Sequence, residues 1–84
     1  MNAEIIGTLA GLISCVTFFP QVVKTFRSKS ARDISPAMFL LALTGTALWL
    51  IYGIMIHSNP IIFTNCIVFI LSAIMLILYF KYRM

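Results

Sequence analysis

The sequence predicts an all-α membrane protein built as a bundle of three transmembrane helices, and three observations lead there. Of 84 residues, 62% are apolar and only 10% are charged, whereas a soluble domain is about half apolar and a quarter charged. Charges are absent from three stretches, residues 5–23, 35–56 and 60–80, each long enough at ~1.5 Å per residue to cross a hydrocarbon layer of about 30 Å. Six Lys and Arg against Glu4 and Asp33 give a net charge of +4. The basic residues sit on the connections, so the sign reads as topology and not as a nucleic-acid surface. Disordered, collagenous and disulfide-rich secreted classes are excluded by the same composition.

Each helix has a recognisable start. Asn2 is placed to cap helix 1 with Glu4 in its first turn, Ser35 caps helix 2 ahead of Pro36, and Asn59 caps helix 3 ahead of Pro60. A basic loop, residues 24–34, joins the first two helices, and a tight His57-Ser58-Asn59 turn joins the last two, so residues 1–84 form one three-helix unit. Cytoplasmic segments retain Lys and Arg. Lys24, Arg27, Lys29 and Arg32 in the loop, with Lys81 and Arg83 in the tail, therefore place loop and C-terminus inside and the N-terminus outside. The first span is too long, and too free of an N-terminal positive patch, for a removable signal peptide. Cys15 and Cys66 lie within spans with no other ligand-type residue at metal spacing and read as packing residues. No metal or cofactor is expected.

The informative residues are polar ones inside the spans, because hydrocarbon offers them no partner. Ser14, Thr17, Thr44, Thr46, Thr64 and Ser72 can each bond back to their own helix. Gln21 lies near the inner interface. Trp49 is seven residues inside Ile56, ~10 Å deep, and Asn65 is five inside Pro60, ~7 Å deep. They share a level, too deep for an ordinary interfacial Trp. Two readings follow: a Trp–Asn hydrogen bond locking helices 2 and 3, or a pocket for a small, polar, uncharged ligand. In the second, an aromatic face stacks on C–H groups while an amide meets hydroxyls, and sugars are the chemical match.

Helical periodicity supports a lined path. Met38, Ala42, Gly45, Trp49 and Ile56 fall on one stripe of helix 2 with Tyr52 flanking, Gly7, Ser14 and Gln21 share a face of helix 1, and Asn65, Ser72 and Tyr79 share one on helix 3. Gly7 and Gly11 form a small-residue pair suited to close helix approach, within the chain or between chains. Pro20 removes a backbone donor and crowds the Val16 carbonyl, which makes it a hinge candidate. Three helices about 9 Å apart enclose nothing, whereas six in a ring leave a lumen of roughly 4 Å radius. A working transporter is therefore expected to be at least a dimer, parallel because both copies obey the same charge rule.

The run Phe18-Phe19-Pro20-Gln21, the loop end Arg32-Asp33-Ile34-Ser35, then Trp49-Leu-Ile-Tyr52-Gly53 and Pro60-Ile-Ile-Phe-Thr-Asn65 together resemble the SemiSWEETs. These are the bacterial half-size SWEET sugar transporters of the PQ-loop superfamily. The resemblance spans nearly the whole chain. It implies a bundle in which helix 3 sits between helices 1 and 2 (order 1-3-2), a parallel homodimer in the bacterial cell membrane, and alternating access around a central sugar pocket. By this likeness Trp49 and Asn65 bind sugar, Pro20 and Gln21 with Phe19 and Met38 form the hinge and inner gate, and Tyr52 belongs to the outer gate. Some members close that gate with an Arg and an Asp where this chain has Ile56 and Ser58. Closure is then left to Tyr52, Ile56 or His57 and is expected to be weaker. Distances across the outer helix ends of sugar-free protein check this, and closure as firm as in ion-paired relatives would contradict it.

No Asp, Glu, Lys or Arg lies inside a span, and coupled carriers usually keep ionisable groups near the midplane. Uncoupled, facilitative movement of a mono- or disaccharide is therefore expected, with the lipid bilayer, the sugar and a second copy as partners. Two alternatives stand beside it: a PQ-loop carrier of another small polar solute, and a non-transporting membrane assembly subunit in which Trp49 and Asn65 form a clasp. No nucleophile, base and orienting group share a depth or face, so an enzyme is not expected.

Overall fold

The structure is a computed structural model that describes residues 3–32 and 34–83. It contains helices α1 (Ala3–Ser28), α2 (Pro36–Met55) and α3 (Asn59–Tyr82). All three are long and apolar enough to cross a membrane, which makes the chain a multi-pass membrane protein. The expected cap at Asn2 lies outside the described residues.

Local chemistry sets the helix ends. α1 continues past Val23 and carries Lys24 and Arg27 on its last turns, so the connection to α2 is shorter than the expected loop of 24–34. Its stop is Lys29, held in the left-handed region (φ 53) with its N–H donating to the Thr25 carbonyl at 2.9 Å, a single-bond left-handed cap. Ser35 caps α2 as expected, its hydroxyl accepting from the Met38 N–H at 3.3 Å. α2 ends in a Schellman arrangement: His57 is left-handed (φ 56), its N–H donates to Ile54 at 3.2 Å, and the Ser58 N–H donates to Gly53 at 2.9 Å. The cap of α3 differs from expectation. Ser58, not Asn59, takes that role by accepting from the Ile61 N–H at 3.4 Å, because the preceding cap already fixes Ser58 in extended backbone, with Asn59 the first helical residue.

α3 lies between the other two helices. Among the described residues it packs on both, while no Cα of α1 comes within 8 Å of one in α2, so the order is 1-3-2. Burial agrees: α3 carries most of the buried residues and α1 only Thr25. The core is a small cluster of Phe39 (1% exposed), Met75 (2%) and Leu76 (8%), flanked by Phe18, Val22, Ile34 and Leu43. There Phe18 and Phe39 meet edge-to-face, centroids 5.8 Å apart, bridging α1 to α2 across α3.

The two glycines of α1 have different neighbours. A methyl group at Gly11 would overlap the Thr64 side chain, whereas one at Gly7 would meet nothing within 4 Å. Gly11 therefore serves packing inside the chain. Gly11→Ala is expected to destabilise the bundle by about 1–3 kcal/mol, read as a lowered melting temperature in detergent, while Gly7→Ala leaves it unchanged. Equal melting temperatures for the two variants would contradict this contact.

Candidate functional site

Because α1 and α2 touch α3 but splay from each other, a groove runs along α3. Toward the end away from the basic loop it widens into a cavity of about 530 Å³, lined by Gly7 and Ser14 of α1, Thr46 and Trp49 of α2, and Thr64, Asn65 and Val68 of α3 among others. Trp49 and Asn65, matched by depth in the sequence, thus line one space. Among the described residues no hydrogen bond joins them, so the clasp reading has no bond to rest on within one chain.

The polar groups of this cavity are neutral and rich in acceptors. Ser14 donates to the Ala10 carbonyl at 3.2 Å, Thr46 to Ala42 at 2.8 Å and Thr64 to Pro60 at 2.7 Å. Each hydroxyl hydrogen is thus taken up inside its own helix, and each oxygen keeps accepting capacity. One Asn65 Nδ2–H donates to the Ile61 carbonyl at 2.9 Å, leaving a second N–H and the amide oxygen for a ligand. Among the described residues no charged side chain lines the cavity. The arrangement suits a solute that brings its own O–H donors, and it holds no counter-charge for a carboxylate or an ammonium group.

The aromatic part lies on an uncovered face. Trp49 is 54% exposed and Tyr52 49% exposed, their rings edge-to-face at 5.5 Å, and both line a shallow groove with Gly45. The packed face of α2 is Phe39, Thr46 and Gly53, at heptad spacing. The Met38, Gly45, Trp49 stripe lies 60–100 degrees round from it on an ideal helix and stays open in a single chain.

At the basic end a second cavity, about 540 Å³, is lined by residues that include Gln21, Lys24, Thr25, Arg32, Met38 and Phe39, with Met75. Gln21 and Met38 of the expected inner gate therefore come together. Phe19 and Pro20 do not join them: they line an apolar groove with Cys15, Val16, Ile67 and Leu71, and α1 runs through Pro20 as one helix. At the opposite end Ile56 is the C-cap residue of α2 and His57 supplies the left-handed turn. Sequence reasoning placed Ser14 on the path-lining face of helix 1 but did not assign Thr46 and Thr64 to the site. Their signal was depth, since Thr46 and Thr64 sit within a turn of Trp49 and Asn65, but back-bonding made them look self-sufficient.

Residues 3–62 match the PQ loop repeat family. The sugar transporter SemiSWEET of Bradyrhizobium diazoefficiens is 38% identical over 79 residues, spanning 94% of this chain and 92% of its own. That of Leptospira biflexa is 37% identical, spanning 93% and 89%. The crystal structure of a bacterial homologue of SWEET transporters matches with a TM-score of 0.87 at 38% identity, over 94% of this chain and 95% of that one. A SemiSWEET crystal structure in the inward-open conformation matches at 0.81 and 30%, over 95% and 93%.

Proposed function

The chain belongs to the PQ-loop family, among its SemiSWEET members, and from that premise we propose that it carries a mono- or disaccharide across the bacterial cell membrane. It is a transporter and not an enzyme. The observation that carries the sugar assignment is the neutral, acceptor-rich groove beneath a half-exposed Trp49. Sugar hydroxyls donate to the Ser14, Thr46 and Thr64 oxygens and to Asn65, and the indole face takes the C–H side of the ring.

One chain supplies half of this site. The Gly45–Trp49–Tyr52 face meets the same face of a parallel second copy, so the sugar lies between two Trp49 rings and two Asn65 amides. Access alternates as the protomers rock, with flexing at Pro20, an inner closure at Gln21 and Met38, and an outer closure at Tyr52 and Ile56 with His57 beside them. The basic loop and tail face the cytoplasm. Among the described residues no ionisable side chain lines the groove, so transport runs down the sugar gradient without proton or sodium coupling.

Reconstituted protein is expected to give saturable uptake of labelled glucose or sucrose into liposomes, unchanged by an imposed pH or sodium gradient. Uptake that needs either gradient would contradict the uncoupled mechanism. Uptake of a non-sugar panel in place of both sugars would contradict the substrate class.

A further inference from the structure

Ser72 differs from the other span hydroxyls. Ser14, Thr17, Thr44, Thr46 and Thr64 all donate to the carbonyl four residues earlier, but the Ser72 hydroxyl has no partner although its residue is 0% exposed. A buried hydroxyl left unmade forfeits the bonds it had in water. Such a group is retained at a cost to the folded state.

Its place on α3 gives it a use. One turn toward the groove, Val68 lines the Trp49–Asn65 cavity, and just under one turn the other way, Met75 lines the cavity at the basic end. Ser72 therefore stands in the layer that separates the two. The hydrophobic cluster that begins one turn along α3, Phe39, Met75 and Leu76 with Phe18, Val22, Ile34 and Leu43 packed on it, is apolar. Ser72 shares the face of Asn65 at heptad spacing, about 10 Å further along the helix. Phe18 and Phe39 meet edge-to-face between α1 and α2, so a solute passing between the cavities must part them and then travels along α3 past Ser72.

We propose that Ser72 is a second, normally hidden sugar subsite that takes one substrate hydroxyl as the sugar crosses from the Trp49–Asn65 groove to the basic-end cavity. This rests on the transport reading above and adds a step to it. The separation from Asn65 makes the two contacts successive, so Ser72 acts on passage and on the choice among hydroxyl patterns, while Trp49 and Asn65 govern first binding.

The test compares wild type with Ser72→Ala and Ser72→Cys, the second nearly isosteric but weakly hydrogen-bonding, in liposome uptake of glucose and its monodeoxy analogues, alongside melting temperatures. Ser72→Ala is expected to move glucose about 3- to 10-fold more slowly, the worth of one neutral hydrogen bond, with Ser72→Cys close to it. One deoxy analogue, the one lacking the hydroxyl that Ser72 takes, should lose its penalty in Ser72→Ala while the others keep theirs. Melting temperature should stay level or rise, because no bond within the chain is lost. Unchanged penalties throughout, or a melting temperature lowered by Ser72→Ala, would overturn the subsite and leave the transport reading standing. No sugar uptake by wild type would overturn both.

Discussion

Replacing Trp49 or Asn65 by alanine is expected to lower sugar uptake by about 10- to 100-fold while the chain stays folded. Each change removes its contact twice, once per protomer. A stacking face or an amide hydrogen bond is worth about 1 kcal/mol, so two losses approach a factor of about 30 in affinity. Stability is spared because Trp49 is 54% exposed and lies outside the Phe39–Met75 cluster, while the Asn65 side chain bonds only within its own helix. Trp49→Phe keeps an aromatic face and should retain much of the activity. Asn65→Asp, which places a charge in an otherwise neutral groove, should lose as much as alanine. Near-normal uptake by both alanine variants would remove the site assignment.

Gly45→Leu is expected to abolish uptake with the melting temperature of the single chain unchanged. A Cβ added at Gly45 meets nothing within 4 Å in the protomer, so packing within the chain does not require a glycine there. The position lines the same shallow groove as Trp49 and Tyr52, the face assigned to the sugar and the second copy, and a leucine would fill it. The contrast with Gly11 is the useful control: there the glycine is required inside the chain, and its substitution costs stability first. Full uptake by folded Gly45→Leu protein would show that this face borders no pathway.

The helices were legible because composition in a bilayer leaves little choice: charges cannot lie inside a span, so their gaps outline the helices. Helix 1 was read as ending near Val23 because charge begins at Lys24. The helix outlasts the apolar stretch, and it stops at Lys29, a residue with no glycine-like signature for a left-handed cap. Ser58 and Asn59 are both good cap types, and only the geometry of the preceding turn decides between them. At the site, Trp49 and Asn65 stood out because neither can satisfy itself as easily as Ser or Thr. The threonine hydroxyls around them, Thr46 and Thr64, were silent for the opposite reason, since a bond to the i−4 carbonyl looks the same whether a residue faces lipid or ligand. Phe19 and Pro20 came with the motif that contains Gln21, but neighbours in sequence point about 100 degrees apart on a helix, and the structure sends them into a different groove.

The central claim is that two copies of a neutral half-site make one sugar pathway. Its most direct measurement co-expresses wild-type and Trp49→Ala chains at graded ratios, with separate tags to fix the composition, and follows sugar uptake per total reconstituted protein. If each sugar needs both protomers, a mixed dimer keeps one of the two contacts and about a fifth of the uptake, so the fall is steeper than linear, to about a third at equal mixing. A linear fall, to about half at equal mixing, would mean that each chain works alone and would contradict the account.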